Sequence, residues 1–235
     1  MISVCMTSYN GEKYIGEQIK SILCQLGKDD EIIVSDDGST DATLDIINGF
    51  HDDRIRIVKG PGLAKPAYNF ENALRQAKGD YIFLSDQDDV WLPNKVKVMM
   101  EAVKDVDLVV SDCVIVDQNL HMLKPSYFAT LPPKLGLWNN IIRNHFLGCC
   151  LCFRSGLLNY ALPFPKNVIM HDIWLGLCAE AFGKTAIVNE PLMMYRRHGD
   201  NQSPASEKSN LPVSFRIEYR WRTIRQIYSR MRKFK

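Results

Sequence analysis

Residues 2–41 read ISVCMTSYNGEKYIGEQIKSILCQLGKDDEIIVSDDGSTD, and this stretch decides the predicted fold. Ile2–Met6 and Glu31–Ser35 are short apolar runs typical of buried strands, and Glu12–Gln25 between them carries isoleucines at helical spacing. A strand, a helix and a second strand at this spacing indicate a parallel strand pair that is covered by the helix.

The same alternation continues to residue 84. It predicts a helix over Asp41–Phe50, a strand over Ile55–Lys59, a helix over Asn69–Ala77 and a strand over Tyr81–Leu84. We therefore predict an α/β fold with a Rossmann-like, mostly parallel central sheet flanked by helices. In such sheets, ligands bind at the carboxyl ends of the strands.

The second half of the chain is less regular. The expected elements are strands over Leu108–Val116, Gly148–Phe153 and Thr185–Val188, and helices over Val90–Val103, Trp138–Asn144 and Met170–Phe182. Pro125–Pro133 is predicted to be a loop, and the polar segment Asn201–Pro212 a loop or linker.

The composition is that of an ordinary globular protein, with 235 residues, 46% apolar and 24% charged. No apolar run is long enough to span a membrane, and the chain starts directly as a strand, so we expect neither a spanning helix nor a secretory signal. The seven cysteines form no CxxC pair. We interpret them as reduced core residues of a cytosolic protein, with zinc binding as the weaker alternative.

Polar clusters follow three of the predicted strands, at Thr7–Gly11, Asp36–Asp41 and Asp86–Asp89. Because the carboxyl ends of parallel strands meet at one edge of the sheet, we expect the three clusters to line one crevice. A turn that caps the next helix accounts for most of the second cluster, but not for Asp36 at the end of the strand. A carboxylate there can accept the ring N–H of a pyrimidine or a ribose hydroxyl.

The third cluster, SDQDD, places three carboxylates within four positions. Mg²⁺ and Mn²⁺ prefer oxygen ligands, so Asp86 and Asp88 are candidate ligands of a divalent cation that would relieve their repulsion. The alternative is a solvated turn. Asp89 is expected to cap the helix that follows, which has Pro93 in its first turn.

Six segments together resemble a family 2, GT-A fold, nucleotide-sugar glycosyltransferase, and in particular bacterial rhamnosyl- and galactosyltransferase-like members. These segments are VCMTSYNGEKYIGEQIKSIL, IIVSDDGSTDAT, NALRQAKGDYIFLSDQDDVW, HFLGCCLCF, HDIWL and YRRHGDN, and they span nearly residues 1–201. The resemblance implies a domain over 1–200, with a nucleotide-sugar half over 1–107 and an acceptor half over 108–200. A linker over 201–212 and a helix over 213–235 follow it.

The resemblance also implies roles for individual residues. The nucleoside would be held by Thr7, Tyr9, Glu12 and Asp36, and the ribose by Asp86. The metal, Mn²⁺ or Mg²⁺, would be held by Asp88 with Asp86, and His198 would complete its shell. Arg197 would lie over the diphosphate, and Asp172 would be the general base, with the N-cap of the next helix as its alternative role.

The acceptor side is assigned to Gly148, Cys149, His171 and Trp174, because an indole offers an apolar face to a sugar ring. The competing interpretation is that Gly148, Cys149 and Trp174 are core residues. His171 stands where the family usually has glutamate, which leaves its role open.

The C-terminal segment Phe215–Lys235 has eight Lys and Arg against one acid, Glu218. Its apolar residues at helical spacing are Ile217, Trp221, Ile224, Tyr228 and Met231. A basic amphipathic helix suits an anionic membrane surface. The alternative is that the apolar stripe packs on the domain, and nucleic-acid binding has little support elsewhere in the chain.

These patterns predict an inverting, metal-dependent glycosyltransferase, moving a hexosyl or deoxyhexosyl group from a UDP- or dTDP-sugar. The acceptor would be a glycan hydroxyl, carried on a polyprenyl lipid during bacterial surface polysaccharide synthesis at the inner face of the plasma membrane. Two alternatives remain, a nucleotidyltransferase and a non-catalytic sugar-nucleotide-binding module. The first would require a glycine- and basic-rich phosphate loop, which TSYNGEKY matches poorly.

Overall fold

The structure is a computed structural model that describes residues 1–168, 170–199 and 213–234. The predicted linker over 201–212 therefore lies outside the described residues. The strands are β1 (Ile2–Ser8), β2 (Glu31–Asp36), β3 (Ile55–Lys59), β4 (Tyr81–Ser85), β5 (Val90–Trp91), β6 (Leu108–Asp117), β7 (Met122–Lys124), β8 (Leu151–Arg154) and β9 (Thr185–Arg197). The helices are α1 (Ile15–Leu23), α2 (Thr43–Asn48), α3 (Pro66–Leu74), α4 (Lys95–Ala102), α5 (Leu137–Ile142), α6 (Leu158–Ala161), α7 (His171–Phe182) and α8 (Val213–Lys233).

Within the described residues the strands form one sheet in the order β3-β2-β1-β4-β8-β6-β9-β5, with β7 paired to β6. The pairings among β1 to β4 are parallel, and so is that between β6 and β9. The strand β8 joins the two halves by antiparallel pairing to β4 and β6. Every residue of β1 and β2 is buried, as expected for parallel strands covered on both faces. The predicted α/β fold is confirmed.

The acidic turn of residues 86–89 connects two strands that are distant in the sheet. Only these four residues separate β4 from β5, yet three strands lie between β4 and β5 in the strand order. The rings of Phe83 and Trp91 nevertheless lie 5.4 Å apart between centroids. The sheet therefore curls, so that its far edge returns close to its centre.

The predicted helix over Val90–Val103 is wrong at its start. Val90 and Trp91 pair with Met194 and Met193 in β9, and the helix begins only at Lys95. The long-range pairing overrides the local helical pattern, and Asp89 consequently caps no helix.

Two other predicted strands change their extent. Gly148–Cys150 forms a 3₁₀ turn, and β8 begins only at Leu151. The strand predicted over Thr185–Val188 continues to Arg197, because its whole length pairs with β6.

The C-terminal helix α8 packs on the domain with a face that the sequence pattern did not indicate. Thr223 and Ile227 are buried, whereas Ile217, Trp221 and Tyr228 of the predicted apolar stripe are 55%, 62% and 60% exposed. For these three residues, the interpretation that the stripe packs on the domain is therefore wrong.

All seven cysteines are free thiols and six of them are buried, which agrees with their interpretation as core residues. No helix among the described residues combines the length and apolar character needed to cross a bilayer.

Candidate active site

The loops that follow β1, β2 and β4 are bonded to one another. The Gln87 amide accepts a hydrogen bond from the Tyr9 N–H at 2.9 Å and donates one to the Tyr9 carbonyl at 3.0 Å. The Asn10 N–H donates to Ser39 Oγ at 2.9 Å. A Cβ atom on Gly11 would lie 2.3 Å from Gln87 Oε1, so this approach requires glycine. The structure thus brings the three predicted clusters to one edge of the sheet.

Asp36 is buried at the end of β2 and organises the turn behind it. Its carboxylate accepts bonds from Ser8 Oγ (2.7 Å), Ser39 Oγ (2.6 Å), the Ser39 N–H (2.8 Å) and the Gly38 N–H (3.1 Å). Two bonds to each oxygen use the accepting capacity of a carboxylate. A nucleoside would therefore bond to Asp36 only by replacing one of these donors.

The other residues assigned to the nucleoside differ in their accessibility. Tyr9 is 54% exposed on its loop, and Thr7 is nearly buried at the end of β1. The Glu12 carboxylate accepts the Ala42 N–H at 3.0 Å and thereby caps the start of α2. Tyr9 and Glu12 are thus the exposed members of this group, although the Glu12 carboxylate is also bonded to the residue before α2.

The acidic turn meets the end of β9. The Nε2 atom of His198 lies 2.7 Å from Asp88 Oδ2, and both side chains are mostly buried. The ring of Tyr14 lies 5.1 Å from the His198 ring between centroids. The two residues assigned to the metal, which are 110 positions apart in sequence, are thus direct neighbours.

A second acidic group lies deeper in the turn. Ligand atoms of Asp86, Asp89 and Cys149 all lie within 4.8 Å of one another. Burial, together with the charges of Asp88 and Asp172, raises the pKa of Asp86 to about 8. Burial, together with the charges of Asp88 and Asp86, also raises the pKa of Asp89 well above its usual value. Among the described residues, Asp89 Oδ2 is buried without a hydrogen-bond partner.

These observations fit a divalent cation at the acidic turn. A buried carboxylate oxygen without a partner is costly unless a cation or a donor compensates for it. Hard cations select oxygen ligands, and burial raises the pKa of the Cys149 thiol well above its usual value, so Cys149 is a poor ligand. The suitable donors are Asp86, Asp88 and Asp89, with His198. Sequence reasoning missed Asp89, although the third acid of SDQDD was the available signal.

Arg196 fixes the acidic turn and was also missed. Its backbone N–H donates to Asp89 Oδ1 at 3.0 Å, and its Nε donates to the Asp88 carbonyl at 2.6 Å. The guanidinium also donates to the Gln118 carbonyl at 2.7 Å and to Glu17 at 2.6 Å. Arg196 is itself buried. The neighbouring Arg197, assigned to the diphosphate, is partly buried at the end of the same strand.

Asp172 is the second residue of α7. The N-cap position belongs to Met170, so the alternative role of Asp172 as N-cap is wrong. Burial raises the pKa of Asp172 to about 6, against the opposing effect of hydrogen bonds from the backbone N–H groups of Ile173 and Gly148. A Cβ atom on Gly148 would lie 3.5 Å from the Asp172 Cβ, and the sulfur of the next residue, Cys149, lies within 4.8 Å of ligand atoms of Asp86 and Asp89, so Asp172 lies near the acidic turn. A carboxylate with such a pKa is suited to general-base catalysis near neutral pH.

His171 is enclosed beside Asp172. Its ring stacks on Phe70 with 3.8 Å between centroids, and neither ring nitrogen has a hydrogen-bond partner among the described residues. Burial lowers the pKa of His171 to about 3, so the ring is neutral. A Cβ atom on Gly148 would lie 2.5 Å from His171 Nε2, which explains the glycine.

Cys149 and Trp174 are both buried, as their interpretation as core residues expected. The Trp174 indole donates to the Ala161 carbonyl at 2.9 Å. Trp174 nevertheless lines an open groove of about 950 Å³ between α7 and α8, together with Pro165, Trp221, Arg225 and Arg230.

Comparison with known proteins gives the family of this fold and site. Residues 3–158 match the profile of the family described as Glycosyl transferase family 2. The chain belongs to this family.

This glycosyltransferase domain is similar to two bacterial enzymes. It is 28% identical to the dTDP-rhamnosyl transferase RfbG of Shigella flexneri, over 92% of this chain and 77% of the relative. It is 29% identical to WfgD of Escherichia coli, over 75% of this chain and 69% of the relative. WfgD is named as a UDP-Glc:alpha-D-GlcNAc-diphosphoundecaprenol beta-1,3-glucosyltransferase.

Two solved structures share the fold of this glycosyltransferase domain. TarS of S. aureus in complex with UDP-GlcNAc matches with a TM-score of 0.71 and 21% identity, over 97% of this chain and 66% of that chain. The second structure is the glucosyl-3-phosphoglycerate synthase of Mycobacterium tuberculosis in complex with Mn²⁺ and UDP. It matches with a TM-score of 0.57 and 21% identity, over 98% of this chain and 79% of that chain. The domain thus spans about two thirds of the TarS chain.

Proposed function

We propose that this family 2 domain transfers a sugar from a UDP- or dTDP-sugar to a hydroxyl of a glycan acceptor, with inversion at the anomeric carbon. One observation carries the proposal. A buried carboxylate with a raised pKa, Asp172, shares one crevice with a cluster of carboxylates suited to a divalent cation. The donors named for WfgD, RfbG and TarS support the choice of nucleotide.

Asp172 acts as the general base. A sugar hydroxyl is a poor nucleophile, so its proton must pass to a carboxylate while the new C–O bond forms. The hydrogen bond from the Ile173 N–H, at 2.7 Å, orients the Asp172 carboxylate for this transfer. A single base and a single displacement give an inverted product.

The donor binds on the other side of the crevice. Tyr9 and Thr7 contact the nucleoside base, and Asp36 reaches it by giving up one of its present donors. Asp86 contacts the ribose, and Arg197 lies beside the diphosphate. Asp86, Asp88, Asp89 and His198 hold Mn²⁺ or Mg²⁺, which supplies positive charge to the departing nucleoside diphosphate when it is bound.

The base assignment is tested by Asp172→Asn. We expect this variant to bind UDP with Mn²⁺ as the wild type does and to lose transfer by at least about 100-fold, the usual contribution of a general base. Binding is measured by calorimetry and transfer by release of UDP from a panel of UDP-, dTDP- and GDP-sugars. Full transfer activity in Asp172→Asn would overturn the assignment. Glu180→Gln, at the far end of the same helix, is the matched control.

The acceptor is proposed to be a glycan on a polyprenyl diphosphate, which the name of WfgD supports. Trp174 and the groove beside it form the acceptor side, and Gly148, Cys149 and His171 lie buried between this side and the acidic turn.

The membrane contact is proposed to lie on α5 and α8. Trp138 and Ile142 of α5 are 66% and 64% exposed, and Arg220 of α8 donates to the Ile142 carbonyl, which joins the two helices. With Ile217, Trp221 and Tyr228 they place large apolar side chains among the arginines of α8. This combination suits an anionic lipid surface.

Vesicle co-sedimentation tests the contact. Binding to vesicles of phosphatidylglycerol and phosphatidylcholine should fall at least about tenfold in Trp138→Ser/Trp221→Ser, and neutral vesicles should bind weakly from the start. Met122→Ser removes an equally exposed apolar side chain from β7 and serves as the control. The membrane contact would be refuted if the double variant sedimented with the vesicles as the wild type does. It would also be refuted if the double variant lost only the association of the protein with itself and kept its lipid binding.

A further inference from the structure

Lys95, the first residue of α4, is a lysine buried inside the domain. Its Nζ atom donates to the Cys149 carbonyl at 2.6 Å, lies 3.2 Å from the Met193 sulfur and lies 4.7 Å from the centre of the Trp91 ring. Within the described part of the chain it forms no salt bridge. Burying an ammonium group in this way costs free energy, so its position requires an explanation.

The bond to Cys149 holds the 3₁₀ turn Gly148–Cys150 from one side. On the other side, Gly148 packs against the start of α7, since a Cβ atom on it would lie 2.5 Å from His171 Nε2 and 3.5 Å from the Asp172 Cβ. The turn therefore lies between α4 and α7, and it has no second side-chain donor to the Cys149 carbonyl among the described residues. Loss of the Lys95 bond would free the element that orients the base.

The charge of Lys95 also acts on the acidic turn. It lowers the pKa of Asp86, opposing the larger effects of burial and of Asp88. The geometry agrees, because Lys95 is bonded to Cys149, whose sulfur lies within 4.8 Å of ligand atoms of Asp86 and Asp89.

We propose that Lys95 is a positioning residue for the transfer reaction, which fixes the Gly148–Cys150 turn beneath the base and acts through that turn on Asp172. The proposal rests on the glycosyl transfer proposed above. Lys95 touches no substrate in this role, so its removal should affect the rate of transfer more than the binding of the donor.

The first test compares Lys95→Met with Lys97→Met, which removes an exposed lysine from the same helix. We expect Lys95→Met to lower kcat about 10- to 100-fold, the range that follows from loss of a hydrogen bond made by a charged group. The Kd for UDP with Mn²⁺ should change less than about threefold. Lys95→Gln, which retains an amide donor without the charge, should recover part of kcat. A parallel loss of kcat and UDP affinity, or an unchanged kcat, would overturn the proposal.

The second test does not depend on activity. Hydrogen exchange of residues 146–152 in the metal-free protein should accelerate at least about tenfold in Lys95→Met and remain unchanged in Lys97→Met. Equal exchange in both variants would refute the proposal. The two proposals can fail separately. If the wild type transfers no sugar from any donor, the proposed reaction is refuted, but faster hydrogen exchange in Lys95→Met would still show that Lys95 fixes the turn. Should Lys95→Met not fold, Lys95→Gln gives the same comparison.

Discussion

At the scale of single residues, the site is defined by side chains whose environment opposes their usual state. Asp86 and Asp172 are carboxylates whose pKa is raised by burial, and His171 is a neutral imidazole without a partner among the described residues. Such groups are tolerated in a folded protein where function requires them. Replacing such a group should therefore change the free energy of unfolding and the transfer activity, and both can be measured.

The first prediction concerns the pH dependence of transfer. Because Asp172 must be ionised to accept a proton and its pKa is about 6, kcat/KM should rise with pH through about 6 and then level off. Initial rates between pH 4.5 and 8.5 at saturating Mn²⁺ would show this limb. A rate independent of pH between 5 and 7 would contradict the role of Asp172.

The second prediction concerns the same group in folding. The pKa of Asp172 is about 6 in the folded chain against an ordinary 3.8, so the folded state holds the proton more tightly. The protonated Asp172 therefore favours the folded state. This contribution to the free energy of unfolding is fully present below pH about 4 and is lost as the pH rises through about 6. Asp172→Asn should therefore increase the free energy of unfolding at pH 8 by on the order of 2–3 kcal/mol, and by much less at pH 4. Urea unfolding at the two pH values measures the difference, and an equal effect at both would contradict it.

The third prediction uses two glycines. Gly148→Ala places a methyl group 2.5 Å from His171 Nε2, whereas a Cβ atom on Gly156 meets nothing within 4 Å. Gly148→Ala should lower the free energy of unfolding by about 1–3 kcal/mol and reduce kcat by at least about tenfold through displacement of the base. Gly156→Ala should leave both unchanged. Thermal unfolding and initial rates are the measurements, and equal behaviour of the two variants would refute the packing argument.

At the scale of elements, the strands that read as apolar runs were predicted well, since burial on both faces leaves a continuous apolar pattern in β1, β2 and most of β4. The start of α4 and the length of β9 were predicted wrongly, because both depend on pairing with distant strands. Pairing partners leave no local pattern in the sequence.

The same limit applied to the site. The motifs located Asp86, Asp88, Asp172 and His198, which the structure brings into one crevice. They did not reveal Lys95 or Arg196, whose roles arise from contacts with residues 54 and up to 179 positions away. A lysine in a first helical turn and an arginine near a strand end have no distinguishing signal until the fold is known.

The fourth prediction tests Arg196 as the residue that joins β9 to the acidic turn. Arg196→Met leaves the bonded groups of Asp88, Gln118 and Glu17 without their donor, and should lower the free energy of unfolding by about 3–5 kcal/mol. Arg222→Met, which removes an exposed pair with Glu218, should cost less than about 1 kcal/mol. Urea unfolding compares the two variants, and similar losses would show that the bonds of Arg196 do not stabilise the join between β9 and the acidic turn.

At the scale of the whole molecule, ligand binding should be visible as stability. A ligand that binds only the folded chain adds about 2.7 kcal/mol at a concentration 100 times its Kd. Mn²⁺ with UDP should therefore raise the Tm, and Asp88→Ala should abolish the rise by removing a ligand and the partner of His198. Asp117→Ala provides a close control, since Asp117 pairs with the exposed His121 in the same way. A shift that survives in Asp88→Ala would place the cation elsewhere.

The curl of the sheet has a consequence for the cation site. Residues 85–90 reach at most about 18 Å when extended, while four strand spacings on a flat sheet measure about 19 Å. The acidic turn therefore connects β4 to β5 only because the sheet is bent, and the separation of Asp86 from Asp89 changes with that bend. A flatter sheet would separate Ser85 from Val90, the two residues between which the turn is held. Any motion that flattens the sheet would open the cation site, and a tightly held cation would in turn stiffen the whole domain.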